Sequence, residues 1–349
     1  MAAAATMLAA CTQTDFVNEV PAETPKAIEF EGGFVNKATR SENSNTSYNE
    51  TFSDHHSTFA VWAYKKATPT SGRTVVFDGE VVTVANGNYT YTNTAYWDKG
   101  AASYAFVAAA PATHNTWDLD VDNFKTSLDL SNEETHPTSA THLSVLTPEN
   151  SGVNQDLLIS EDVILNPATH VGAVNLSFIH ILSRLNVVLN NTNDKFRIIS
   201  VKIKNLPSKG NFDESLAAGT DLQQGTHERW TLDDPNANSK DYEVVFADAA
   251  QKKRGSNVYL MQTLVIPQEI TDDTTIEVVY GYDIADGVDV FTRTHTLAEA
   301  FGITGGNKLY FNEGWQNTLT LTVETTEITF SASVASWATS SQSAAHVIK

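Results

Sequence analysis

The chain reads as an all-β protein of two β-sandwich domains in tandem. Three features lead there. Apolar and polar residues alternate in short runs along almost the whole length, which is the period of a half-buried strand. Gly, Pro, Asn and Asp bound those runs and mark turns. Long apolar patterns of helical period are almost absent, so short strands packed as sandwiches are the architecture that buries the apolar faces.

In chain order the predicted strands begin with Ile28–Glu31, Phe59–Tyr64, Tyr89–Thr92, Tyr104–Val107 and Val174–Phe178. They continue with Val187–Leu189, Ile198–Ile203, Tyr242–Phe246, Ile276–Tyr280, Leu319–Val323 and Ile328–Val334. Helix is confined to three short candidates, Asp122–Leu128, His180–Arg184 and Leu297–Phe301. No repeat of fixed period argues for a propeller or solenoid. A strand ends before Ile179–Ser183 and another starts near Arg184, so the domain boundary is set there. This predicts a leader over 1–26, an N-terminal sandwich over 27–181 and a C-terminal sandwich over 182–349, the halves each of single-domain size.

The chain carries 42 acidic and 22 basic side chains, a formal charge of −20. Phosphate backbones would repel it, which disfavours nucleic acid as a partner. With 41% hydrophobic residues it can still bury real cores. Abundant Thr, Asn, Ser and Val with sparse Lys and Arg is the texture of an extracellular β protein.

Catalytic and metal patterns are weak. Ten histidines are scattered apart from His55-His56, with no His-Glu-x-x-His and no Cys/His ligand spacing. Asp118–Asn123 resembles the start of a calcium loop, but Asn123 stands where the turn glycine belongs and Asp129 where a bidentate Glu is wanted. An alternating strand with Leu119 and Val121 on one face explains that stretch equally well. No Gly-x-Ser-x-Gly elbow occurs, and Gly305-Gly306 precedes no helical pattern and reads as a loop. His180, near the domain boundary, reads as a hydrogen-bonded structural histidine. The expectation is no enzyme, no cofactor and no metal.

Cys11 is the single cysteine, so no internal disulfide is available. It follows an apolar run, Ala2 to Ala10, too short to span a bilayer but of signal-peptide length. Leu8-Ala9-Ala10-Cys11 resembles a bacterial lipobox, in which the cysteine becomes the lipidated N-terminus. One departure is that no Lys or Arg precedes Lys26, so the charged n-region is missing. The plainer alternative is an ordinary N-terminal tail.

Several stretches together resemble the fimbrillins, the pilin-like subunits of Bacteroidetes surface fimbriae (type V pili). They are the lipobox, AIEFEGGF, the arginine in NKATRS, TFAVWAY, AYWDKGAASYAFVAAAP, VNLSFIHILSRLNVVL, IKNLPSKGNF, Trp230, LVIPQ and ITFSASVASW, in that order over nearly the whole chain. The resemblance implies two transthyretin-like sandwiches and export as a lipoprotein to the outer membrane. It implies removal of the N-terminal segment by an Arg-specific protease, then polymerisation with like subunits by strand exchange, in support of adhesion to host proteins or glycans. It does not separate stalk, anchor and tip subunits.

Two segments suit such an exchange. The first strand, 27–35, puts Ile28, Phe30, Gly32 and Phe34 at alternate positions. The segment 327–337 repeats that order with Ile328, Phe330, Ala332 and Val334, and ends at Trp337. The first is expected to fill a groove before cleavage, and the second, from a neighbour, to replace it. Any two strands of a β protein share such alternation, and 327–337 also reads as a core strand of its own domain. Arg40, followed by Ser41, lies in a polar stretch suited to proteolysis; alone it would read as an ordinary loop arginine. Arg73 and Arg254 are rival sites, and Lys252-Lys253-Arg254 reads as a solvated turn. The alternative function is a surface lipoprotein that binds glycans without polymerising. Trp62, Trp97, Trp117, Trp230, Trp315 and Trp337 are its candidate aromatics, with Trp62 expected in a core and Trp117 exposed.

Overall fold

The computed structural model describes residues 25–34, 56–112, 125–129, 156–160, 163–213, 227–235, 237–324 and 327–336. The first nine strands are β1 (Glu29–Phe34), β2 (Thr58–Lys66), β3 (Arg73–Ala85), β4 (Asn88–Thr90), β5 (Ser103–Ala110), β6 (Lys125–Asp129), β7 (Leu158–Ser160), β8 (Val163–Leu165) and β9 (Ala173–His180). The next six are β10 (Ser183–Asn191), β11 (Phe196–Pro207), β12 (Lys209–Asp213), β13 (Trp230–Leu232), β14 (Ser239–Val245) and β15 (Gly255–Val265). The chain closes with β16 (Gln268–Ile270), β17 (Thr275–Ile284), β18 (Gly287–Thr296), the one-turn α1 (Leu297–Ala300), β19 (Leu309–Phe311), β20 (Trp315–Glu324) and β21 (Glu327–Ser336).

The all-β, sandwich-like architecture expected from the alternation is present. One sheet runs β1-β9-β7-β5-β2-β3-β4, with β8 also on β5. Phe59, Val61 and Ala63 of β2 and Tyr104, Phe106, Ala108 and Ala110 of β5 point into one core. Their neighbours Trp62 and Val107, one residue out of phase, join a second cluster. That is what a period of two requires when a sheet is covered on both faces. Gly79, with φ +69°, is the extra residue of a bulge in β3: Val61 lies opposite Glu80 and Trp62 opposite Asp78. The sheet curls until its ends meet. Ile28 N–H donates to Ala95 O at 2.9 Å and Trp97 N–H to Lys26 O at 3.0 Å.

The second half is a sandwich of two four-stranded sheets, β15-β10-β20-β21 and β14-β11-β17-β18. Leu185, Val187 and Leu189 of β10 face Ile198, Val201 and Ile203 of β11 across a shared core. β10 lies parallel to β20 and antiparallel to β15. Between the halves lies the second cluster, where Val107 and Ile159 meet Ile181, Leu182, Phe212, Trp230, Leu264 and Ile266. Trp230 Nε1–H donates to Ile181 O at 2.9 Å.

Two helical expectations fail. Asp122–Leu128 does not form a helix over its described part, because Lys125–Asp129 pairs antiparallel with β12. His180–Arg184 is a two-residue passage between β9 and β10. Ile181 N–H bonds Leu157 O and Leu182 O accepts from Gly314 N–H, so these groups are committed outside the segment and no helical turn forms. The third candidate holds over Leu297–Ala300, with Thr296 and Glu299 forming a capping box.

No helix among the described residues is long and apolar enough to cross a membrane.

Candidate functional site

The first strand occupies a groove in the curled sheet. β1 runs parallel to β9, from Glu29 opposite Ala173 to Phe34 opposite Phe178. Alternation sends Glu29 and Glu31 outward and buries Ile28 and Phe30. Phe30 sits among four rings, with centroids 5.5 Å from Tyr91, 5.6 Å from Phe77, 6.2 Å from Phe59 and 6.3 Å from Phe106. Three of these are edge-on, the arrangement that aligns ring quadrupoles favourably. Gly32 lies close to its wall: a β-carbon there would stand 3.3 Å from Phe178 Cε2 and 3.4 Å from Leu176 O.

Among the described residues, the other edge of β1 has no comparable ladder. Two tyrosines from the far end of the sheet reach over instead. Tyr89 Oη donates to Gly32 O at 2.9 Å and Tyr91 Oη donates to Ile28 O. Burial raises the Tyr91 phenol above its ordinary pKa, which keeps it protonated as a donor. The turn carrying these residues onward is held by Glu80, whose carboxylate accepts from the N–H groups of Thr92 and Asn93 and from the Asn93 amide. Thus β1 is held by one ladder, its buried side chains, the short bridge at Ala27 and two hydroxyls.

The C-terminal candidate strand, β21, is placed on the edge of its own sandwich, antiparallel to β20, with Ile328 opposite Val323 and Val334 opposite Asn317. Its hold on that core is partial. Ile328 is buried, Phe330 and Ala332 are half-buried, and Val334 is 40% exposed. The Phe330 ring meets His295 edge-on at 5.1 Å. Cys11, Arg40, Ser41 and Trp337 lie outside the described residues, as do Trp117 and the stretch Asp118–Asn123; Phe34 is placed in β1.

The rival basic sites are built into ordered structure. Arg73 opens β3 and lies 4.3 Å over the Tyr64 ring. Arg254 donates to Thr192 O, Lys252 pairs with Asp283, and Lys253 lies 5.2 Å over Phe246. This turn is pinned by side-chain partners, which is tighter than the solvated turn expected. His180 is a structural histidine as read, its Nδ1 3.0 Å from Asp156 Oδ2 in a buried pair. No group of three metal-ligating side chains occurs among the described residues. Of the described tryptophans, Trp97 and Trp230 are buried and Trp62 and Trp315 half-buried.

The tyrosine contacts and the parallel pairing of β1 were not found in the sequence. The only signal was the spacing of Tyr89 and Tyr91, which put both hydroxyls on one face.

Among the described residues, β1 lies in a groove of the first sheet and β21 on the edge of the second sandwich, in a chain that is all β apart from single short helical turns. The family model described as fimbrillin-like matches residues 39–337, and the chain belongs to that family. Among solved structures, a proposed cell adhesion protein from Bacteroides uniformis is similar with a TM-score of 0.52 and 16% identity, over 90% of this chain and 99% of that one. A fimbrial protein from Bacteroides vulgatus is similar with a TM-score of 0.49 and 15% identity, over 89% and 99%. No curated relative matches the sequence.

Proposed function

We propose that this chain is a structural subunit of a cell-surface fimbria, joined to its neighbours by exchange of the first strand for the last. It is made as a lipoprotein anchored through Cys11 at the outer membrane. An Arg-specific protease cuts between Arg40 and Ser41, and β1 leaves. The β21 segment of another subunit of the same or a related kind enters the emptied groove and supports an adhesive fibre.

One observation carries this reading: the two segments present the same side-chain order, and the groove buries Ile28 and Phe30 more completely than the parent edge buries Ile328 and Phe330. Ile28 and Phe30 are almost wholly shielded, whereas Phe330 and Ala332 are half-buried and Val334 is exposed. Each large apolar side chain moved from water into a filled core contributes roughly 1.5–3 kcal/mol. Transfer of β21 therefore gains burial at Phe330, which takes the place of Phe30, and keeps it at Ile328, which takes the place of Ile28. The emptied edge of β9 supplies a row of unpaired backbone groups that an incoming strand satisfies. The family match begins at residue 39, just past β1 and next to Arg40.

The test is to treat the chain with an Arg-specific protease, sequence the new N-terminus and run unboiled samples on a denaturing gel. A start at Ser41 with a ladder of resistant oligomers is expected. The ladder is lost in Phe330→Glu, which would put a charge into an apolar groove. Resistance at Arg40, or a normal ladder from the Phe330→Glu chain, overturns the proposal.

A further inference from the structure

The sandwich of the second half carries another unpaired edge. β18 is a ten-residue strand bonded only to β17 among the described residues. Nine of its ten residues are exposed. Val290 is 58% and Phe291 39% exposed, although Phe291 stacks on Tyr280 at 5.5 Å. In an antiparallel ladder, bonded and unbonded pairs alternate, so every second residue of β18 turns its N–H and C=O to this open side. Long open edges of this kind are ordinarily guarded by proline, by charged side chains, lysine above all, by bulges or by a covering helix or loop. β18 has no proline or lysine, and its charges are Asp289 and Arg293, of opposite sign and two residues either side of Phe291. Neither makes an ion pair or side-chain hydrogen bond among the described residues.

We propose that β18 is a self-pairing edge, and that two copies of this chain join through it, antiparallel and about a two-fold axis at Phe291. That register sets Asp289 opposite the partner's Arg293 and Arg293 opposite the partner's Asp289. The charges that would repel a shifted copy attract in this one. Val290 then faces the partner's Thr292, Val288 faces the partner's Thr294, and the two Phe291 rings meet at the centre beside Tyr280 and Tyr282. Paired residues have the same parity in the alternation, so the free backbone groups of one edge meet those of the other. Two four-stranded sheets become one of eight. A two-fold contact of this type is closed, so it yields pairs rather than chains. It is independent of strand exchange, since it leaves both β1 and β21 in place, and in a fibre it would act sideways.

The test uses the uncut full chain, in which the first strand is retained. Sedimentation equilibrium at rising concentration should show a monomer–dimer equilibrium that added salt weakens. Arg293→Asp places like charges opposite each other twice and should weaken the dimer at least about tenfold. The exchanged chain, Asp289→Arg with Arg293→Asp, should restore it, because the symmetric pairing is re-formed with signs swapped. Both sites are exposed, and circular dichroism should report an unchanged fold. A monomer at every concentration overturns the proposal. So does a dimer indifferent to Arg293→Asp, or a dimer that Arg293→Asp abolishes and the exchanged chain fails to recover.

Discussion

Phe30 touches four aromatic rings, so cutting it back leaves a cavity that its neighbours cannot easily close. In the uncut chain Phe30→Ala should cost about 3–5 kcal/mol, measured by denaturant unfolding. A cost below about 1 kcal/mol would mean that the first strand contributes little to the groove. Gly32 makes a different prediction, since its missing side chain is what lets β1 lie against Phe178 and Leu176 O. By the same geometry the incoming strand must be small at the matching position, Ala332. Ala332→Leu should leave the parent fold intact, because Ala332 is only partly buried on the edge strand β21 and its neighbours there can shift, and should stop the oligomer ladder after cleavage. The pattern Ile, Phe, small, large was visible in both segments. The reason for the small residue was not, because it depends on Phe178, which lies far away in the chain and becomes a neighbour only through the parallel pairing of β1 with β9.

Among the elements, the strands that the sequence showed best are those with one wet and one dry face, such as β11 and β17. Strands covered on both faces lose the alternation; the run Leu260–Val265 in β15 is buried throughout, Gln262 and Thr263 included, and shows no period of two. β3 is broken by its bulge at Gly79, and β18 is exposed almost throughout, so neither stood out. The passage Ile181-Leu182, inside the helix candidate His180–Arg184, forms no turn of helix because its backbone is bonded to Leu157 and Gly314. The turn after β4 carries a pH prediction. Hydrogen bonds, chiefly from Asn93 N–H, hold the Glu80 carboxyl below its ordinary value of 4.5. A depressed acid contributes stability that is present above its unfolded pKa and lost as the pH falls through the lower folded value. Amide protection across residues 92–97, corrected for the intrinsic exchange rate at each pH, should therefore fall below about pH 4, and Glu80→Gln should already be less protected at neutral pH with a smaller acid step. Identical profiles for the two chains would remove Glu80 from the support of the groove.

At the scale of the whole molecule, the cluster between the halves is as dry as either core. Trp230 anchors it through Ile181 O, and β6, from the first half of the sequence, pairs with β12 from the second. The expected boundary at 181/182 falls in the two-residue passage between β9 and β10. The junction packing is not legible in the sequence, since it unites Val107, Phe212 and Trp230 from distant parts of the chain. Calorimetry of the intact chain should show one transition, and Trp230→Ala should lower it and split it in two, because the halves then lose their shared core. Two transitions in the unaltered chain would mean that the junction does not couple them.

The exchange of strands is tested most directly by trapping it. In the groove, Gly33 of β1 lies opposite Ser177 of β9, while in its parent sheet Ser333 of β21 lies opposite Thr318. With Cys11→Ser to remove the native thiol, a chain carrying Ser177→Cys and Ser333→Cys would be oxidised before and after cleavage at Arg40 and the crosslinks mapped by mass spectrometry. A 177–333 bond between subunits, formed only after cleavage, is the predicted result. Oligomers without that bond, together with a 318–333 bond persisting within each subunit of the matching Thr318→Cys chain, would contradict it.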